Sequence, residues 1–210
     1  MNKKSIVLAI ETAFAGGSIS LLRNNVEIDN WRGSREISKS EDVLNEISIL
    51  LKKNKIERFE ISSIVISKNA GSLTGLRIGL ALARGLSKSL NCQYKEVSVL
   101  ELLLNNNKKN GKILTAIQIN NTEFFFQIFS VKVDGIIEKL TFATRCNIET
   151  LKEVLTETSF DNIIFYQTSK YNTPLVEGIL EKFKITNFNF KQNLAKYIGL
   201  QVSDNQIGNK

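Results

Sequence analysis

The chain opens with a short continuous apolar run, Ser5–Ile10 (SIVLAI), the pattern of a buried central strand. Ala15-Gly16-Gly17 can make a tight turn, and Ser18–Leu22 returns as a second strand. Asn24-Asn25 is a two-residue turn signal, and Val26–Trp31 alternates as a third strand. The period then lengthens. Val43, Leu44, Ile47, Leu50 and Leu51 recur at helical spacing behind Ser38 and Glu41, which fit a capping box. Lys52-Lys53-Asn54 end this helix with cations that suit its dipole. Ile61–Ile66 is the next strand, and Gly71–Leu90 reads as a glycine-bearing turn feeding one helix, which Ser72 or Thr74 can cap. Tyr94–Val97 is a short strand, and Ser98–Asn105 a helical turn or two.

The second half repeats the first. Asn105–Gly111 (NNNKKNG) is polar, carries turn residues and makes the best lobe boundary. Ile113–Ile119 mirrors the opening strand, Asn120-Asn121 replaces the glycine turn, and Glu123–Val131 is the second strand. Asp134-Gly135 is a hairpin turn before a third strand at Ile136–Phe142. A helix at about Ile148–Thr156, a strand at Ile163–Tyr166, a helix at about Pro174–Lys184, a strand at Ile185–Phe190 and a final helix near Gln192–Ser203 follow. Both halves read β-β-β-α-β-α, an internal duplication. The expected fold is α/β with two such lobes, the architecture of actin, Hsp70 and the sugar kinases, a likeness that assigns no function by itself. The expected division is a first lobe over 1–104, a second over 111–190, and a final helix and tail over 191–210.

One helix stands out. In Thr74–Leu90, Gly75, Gly79, Ala83 and Ser87 share one face that carries almost no side chain. Two interior glycines cost roughly 1 kcal/mol each relative to alanine, which a soluble helix tolerates for close backbone approach. Leu76, Ile78, Leu80, Leu82, Leu86 and Leu90 run beside that face, and Arg77, Arg84 and Lys88 form a narrow basic stripe. Either the helix is buried against its own sheet alone, or one side meets the sheet and the other a partner. A helix apolar nearly all round in so small a chain points to two burials.

Composition narrows the chemistry. Net charge is +7, with 28 Lys and Arg against 21 Asp and Glu and no histidine. The excess favours nucleic acid or an acidic protein as partner, but many lysines adjoin asparagines and Pro174 is the single proline, so drift explains much of it. Lack of histidine removes the commonest general base and excludes Ser/His/Asp and Cys/His sets. Cys92 and Cys146 have neither metal-ligand spacing nor a disulfide framework, which makes a reducing cytoplasm the expected location. No apolar run reaches membrane-spanning length, and Glu11 interrupts the only candidate signal segment.

Phosphotransfer in a two-lobed fold of this kind requires a metal-holding carboxylate at the end of each first strand and a turn whose amides hold phosphate. Glu11-Thr12 stands at the first place, followed by Ala13-Phe14; the second place is near Gln118, an amide. Glu11 and Thr12 are explained more simply as capping a strand end. Gly71–Gly75 (GSLTG) is not a Walker loop. The frame is kinase-like with most catalytic parts missing, so no catalytic residue, cofactor or metal ligand is expected.

Ile6–Leu22 (IVLAIETAFAGGSISLL), Lys39-Ser40-Glu41 and Asn69–Gly79 (NAGSLTGLRIG) together resemble the TsaB (YeaZ) family, proteins of tRNA threonylcarbamoyladenosine biosynthesis once described as M22-type glycoproteases. The resemblance covers residues 5–104 and is topological beyond 111. Departures are Glu11 for aspartate, Lys39 for histidine, Asn69-Ala70 for Gly-Pro, and Gln118 for an aspartate. The resemblance implies a non-catalytic paralogue of the TsaD (Kae1-like) subunit, which carries the metal and transfers threonylcarbamoyl to N6 of an adenosine in tRNAs reading ANN codons. It implies docking on that subunit through the helices matching Ser40–Asn54 and Thr74–Leu90, homodimers by a related surface, an ATPase subunit (TsaE) in the assembly, and tRNA reached through the complex. The interface residues expected on these helices are Ser40, Leu44, Ile47, Leu51, Thr74, Gly75, Arg77, Ile78, Gly79, Leu82, Ala83 and Leu86.

Two other readings remain open: a divergent phosphotransferase or peptidase, which requires a metal or nucleotide to bind the chain alone, and a basic RNA-binding module, which requires cations interleaved with aromatics. Phe124-Phe125-Phe126 has no interleaved Lys or Arg and reads as strand packing.

Overall fold

The computed structural model describes residues 6–14, 16–34, 40–105, 109–166, 178, 181–183, 185–188 and 193–202. The first strands are β1 (Ile6–Glu11), β2 (Ser18–Arg23) and β3 (Val26–Arg32). Asn24 and Asn25 both have positive φ, the conformation that lets a two-residue turn follow the twist of β2 and β3. Helix α1 (Ser40–Lys53) and a 3₁₀ turn at Arg58–Glu60 lead to β4 (Ile61–Lys68), helix α2 (Leu73–Leu90) and β5 (Gln93–Ser98). The sheet order is β3-β2-β1-β4-β5. β2 runs antiparallel to β1, whereas β4 is parallel to it, as a crossover helix requires.

Alternation along these strands makes two apolar faces. Ile6, Leu8, Ile10, Ile19, Leu21, Ile64 and Ile66 pack against Val43, Ile47, Leu50 and Leu51 of α1 and Ala83 of α2. Ser72 caps α2, its Oγ accepting from Gly75 N, while Thr74 lies exposed inside the first turn.

The second unit begins at helix α3 (Val99–Asn105) and continues through β6 (Gly111–Gln118), β7 (Glu123–Val131), β8 (Ile137–Lys139), β9 (Thr144–Asn147), helix α4 (Ile148–Glu157), β10 (Asn162–Tyr166) and β11 (Thr186–Phe188). Its order, β11-β10-β6-β7-β8, reproduces the first sheet strand for strand, with β9 also pairing β7. α4 buries Ile148, Leu151 and Leu155 against Leu114, Ala116, Phe124, Phe126 and Phe165, and the rings of Phe124 and Phe165 lie 5.9 Å apart. The aromatic triplet is therefore core, except half-buried Phe125. Of the expected third strand Ile136–Phe142, only Ile137–Lys139 forms a strand, β8, and β9 follows beyond it. Thr141 interrupts it, its Oγ1 accepting from Ile128 N and its carbonyl from Gln127 Nε2.

Helix α5 (Leu194–Leu200) returns to the first sheet, on the face opposite α1 and α2. A Cβ on Gly199 would stand 2.4 Å from Leu22 Cδ1 and 3.1 Å from Ala9 Cβ, so a larger residue there would make the end of the Leu22 side chain move and α5 shift by a few tenths of an ångström. Asn193 pins its start. The side-chain amide donates to the carbonyls of Ile19 (2.7 Å) and Trp31 (3.0 Å), and Oδ1 accepts from Ala195 N. The first compact unit thus holds β1–β5, α1, α2 and α5, and the second α3, α4 and β6–β11. This grouping differs from a division drawn at the polar stretch 105–111 and at 191. The leucines of α3 are buried against β6 and β10, and α5 is buried on β1 and β2. The expected capping box at Ser38 and Glu41, and most of the expected helix at Pro174–Lys184, lie outside the described residues.

Candidate functional site

The end of β1 and the helix beside it carry the features that bear on function. Glu11 is 2% exposed. Its Oε1 accepts from the successive amides of Ala13 and Phe14, the latter at 3.0 Å. Burial pushes the carboxyl up to about 7, opposed by those two amides. Thr12 Oγ1 donates to Gly75 O at 2.8 Å, and Ser72 N donates to Ala13 O at 2.7 Å. The start of α2 is thereby fastened to the turn after β1.

The bare face of α2 is what permits this contact. A Cβ on Gly75 would stand 2.1 Å from Thr12 O, and one on Gly79 2.1 Å from Thr12 Oγ1. Ala83 continues the face into the core. The expectation that this face receives a partner is therefore corrected: Gly75, Gly79 and Ala83 are buried against the chain's own strands. Ile47 and Leu51, expected at the interface, are core residues beneath α1 for the same reason. Of the other expected interface residues, Ile78, Leu82 and Leu86 are half-buried, and Leu82 and Leu86 pack on that core. Leu44, Thr74 and Arg77 are exposed, and the side chain of Ser40 lies outside the described residues.

Two exposed residues escaped sequence reasoning, Ile49 on α1 and Leu73 at the first position of α2. Both are apolar residues off the helical core stripe, which is the signal that would have found them. The basic stripe is also divided. Arg84 Nη2 meets Glu96 Oε1 at 2.9 Å and its Nε donates to Tyr94 Oη, whereas Arg77 and Lys88 have no ion-pair partner among the described residues. Between β3 and α1 a pocket of about 180 Å³ is lined by Trp31, Gly33, Asp42, Asn45 and Glu46 among others.

Actin-like folds imply a nucleotide held by the turn after the first strand, and the residues here do not fit one. The amides of Ala13 and Phe14 already serve Glu11, and the turn is closed by Gly75 and Gly79 against Thr12. At the matching place in the second unit, Gln118 is fully buried at the end of β6. Among the described residues no three His, Cys, Asp or Glu side chains come together to hold a metal, and no helix is long and apolar enough to cross a membrane.

The repeated order of two mixed sheets with crossover helices defines a two-lobed α/β protein of the actin-like class. A Bacteroides thetaiotaomicron protein described as having an actin-like ATPase fold superposes with a TM-score of 0.59 at 12% identity, over 95% of this chain and 96% of that one. YeaZ from Pseudomonas aeruginosa superposes with a TM-score of 0.66 at 14% identity, over 97% of this chain and 93% of that one. The family model described as TsaD, tRNA N6-adenosine threonylcarbamoyltransferase, matches residues 37–139. The tRNA threonylcarbamoyladenosine biosynthesis protein TsaB of Buchnera aphidicola subsp. Baizongia pistaciae is 31% identical over 97% of this chain and 91% of its own length. The chain belongs to the TsaB family of tRNA threonylcarbamoyladenosine biosynthesis proteins.

Proposed function

We propose that this chain is a non-catalytic scaffold subunit of the assembly that makes N6-threonylcarbamoyladenosine in tRNA, and that it docks on the TsaD-like catalytic subunit through α1 and α2. The observation that carries the reading is the apolar surface these helices keep after their core faces are satisfied: Leu44 is 41% exposed, Ile49 47% and Leu73 48%. The match of residues 37–139 to the TsaD family model supports descent from a common two-lobed ancestor, the paralogy expected of a scaffold that pairs with its catalytic relative. The turn after β1, closed on its own carboxylate, supports the non-catalytic half of the reading. In the same proposal a TsaE-like ATPase joins the assembly, tRNA reaches it through the complex, a homodimer uses a related surface, and the chain works in the cytoplasm.

The test is co-purification with the TsaD-like subunit of the same cell. A Leu44→Glu/Ile49→Glu variant should melt close to the unchanged chain, since exposed substitutions usually alter stability by no more than about 0.5 kcal/mol, and should lose the partner. Retained binding by the folded variant refutes docking through α1. Micromolar binding of Mg-ATP by the lone chain would favour the phosphotransferase reading. Tight tRNA binding by the lone chain that falls steeply with salt would favour the RNA module.

A further inference from the structure

We infer that the turn after β1 is an anion-binding turn whose anion is supplied by the chain itself: the Glu11 carboxylate occupies the place an external phosphoryl oxygen would take. The inference rests on the non-catalytic part of the proposed function and is independent of partner docking.

Two successive backbone amides, Ala13 N and Phe14 N, converge on the single oxygen Oε1 of Glu11. Successive amides aimed at one point form a concavity that attracts anions. Here a carboxyl oxygen is seated in it. Glu11 is 2% exposed and, among the described residues, has no ion-pair partner, so the two amides are what answer its charge. A buried carboxylate without a cation is costly unless its hydrogen bonds are strong. An ordinary strand-end cap could remain at the surface and avoid that cost.

The start of α2 completes the enclosure. Ser72 N donates to Ala13 O, Thr12 Oγ1 donates to Gly75 O, and Ser72 Oγ caps Gly75 N. The positive end of an 18-residue helix is thus held beside the turn, adding to the field that favours negative charge there. Space is the remaining argument. A Cβ on Gly75 would stand 2.1 Å from Thr12 O, so α2 sits hard against the turn, and the place on the two amides is the one that Glu11 Oε1 fills. The chain keeps the donors of a phosphate turn and fills them from within.

Inorganic phosphate is the probe. The unchanged chain, Glu11→Gln and Glu11→Ala are melted with and without it. Removing the side chain frees both amides, so at phosphate ten times its dissociation constant Glu11→Ala should gain roughly 3–6 °C beyond the response of the unchanged chain. Glu11→Gln keeps a side-chain acceptor in place and should respond like the unchanged chain. Equal responses from all three proteins overturn the inference, as does phosphate binding at the turn of the unchanged chain. Should Glu11→Ala not fold, the unchanged chain still decides. Its Ala13 and Phe14 amide protons, followed by NMR, should move together in one step with a midpoint near 7. Amides that stay still between about pH 5 and pH 9 remove the carboxylate from the turn and with it the proposal. Failure of the Leu44→Glu/Ile49→Glu experiment would sink the docking reading and leave this one standing.

Discussion

Replacing Gly79 with alanine tests the central contact of α2. The added Cβ would stand 2.1 Å from Thr12 Oγ1, 3.0 Å from Ile66 Cδ1 and 3.3 Å from Thr12 Cβ. The end of the Ile66 side chain can give way by a few tenths of an ångström. Thr12 Oγ1 cannot move without surrendering its 2.8 Å hydrogen bond to Gly75 O. Thr12 is 3% exposed, so no solvent replaces that partner, and the loss costs about 1–3 kcal/mol. Overpacking adds roughly 1–3 kcal/mol, and the gain in helix propensity returns about 1 kcal/mol. The net expectation is a chain destabilised by about 3 kcal/mol, seen as a melting-temperature fall of roughly 6–12 °C for a protein of this size. Thermal melts give the number, and a second substitution isolates its cause. In a Thr12→Ala background the closest clash is gone, so Gly79→Ala should cost less by about 1–3 kcal/mol, the coupling typical of residues in contact. A Gly79→Ala chain that is more stable, as helix propensity alone demands, would refute the reasoning; so would costs that simply add. The bare face read from sequence alone as a partner surface leads to the opposite order, with a stable monomer and blocked docking.

Glu11→Gln has a pH signature. Folding raises the Glu11 carboxyl from its ordinary 4.5 to about 7 through burial, so the folded chain holds the proton more tightly than the unfolded one. The resulting stabilisation is fully present below about pH 4.5 and is lost as pH rises through about 7, a change of about 3 kcal/mol. Denaturant melts across that window should show the slope in the unchanged chain and not in Glu11→Gln; an identical slope in both counts against the burial account. Asn193→Ala removes two donations to main-chain carbonyls and the α5 cap, and should cost about 2–3 kcal/mol. A melting temperature unchanged by that substitution would mean that α5 is not anchored there.

Much of the fold was legible because its strands are short apolar runs of distinctive period, and because duplication made each half a check on the other. Ile113–Ile119 mirrors Ile6–Ile10 in the sequence alone. The nakedness of Gly75, Gly79 and Ala83 was also plain, but not the neighbour that required it. That neighbour is Thr12, 63 residues from Gly75, and nothing local in α2 points to it. The docking of α5 was invisible for the same reason: seven residues with a weak pattern are held by contacts that span as many as 177 positions. Leu44 was found by its helical spacing, whereas Ile49 and Leu73 were passed over because they break that spacing. Glu11 was correctly placed at a strand end, but its burial depends on α2 closing over the turn.

The return of α5 to the first sheet has a consequence during synthesis. Val7, Ala9 and Leu22 emerge from the ribosome early, yet the helix lying on β1 and β2 is made far later, the contact from Asn193 to Ile19 spanning 174 positions. Until α5 has been made, that face of the sheet has no helix to cover it. Domains generally fold as units and from the N-terminus first, but here the first unit must wait for α5, which follows the whole of the second unit in the chain. The nascent chain therefore carries an unfinished apolar surface while the whole second unit is made, a substrate for chaperones and a route to aggregation. A premature stop codon shortly before Asn193 would leave every residue of α1 and α2 in place and still deprive the sheet beneath them of its second cover.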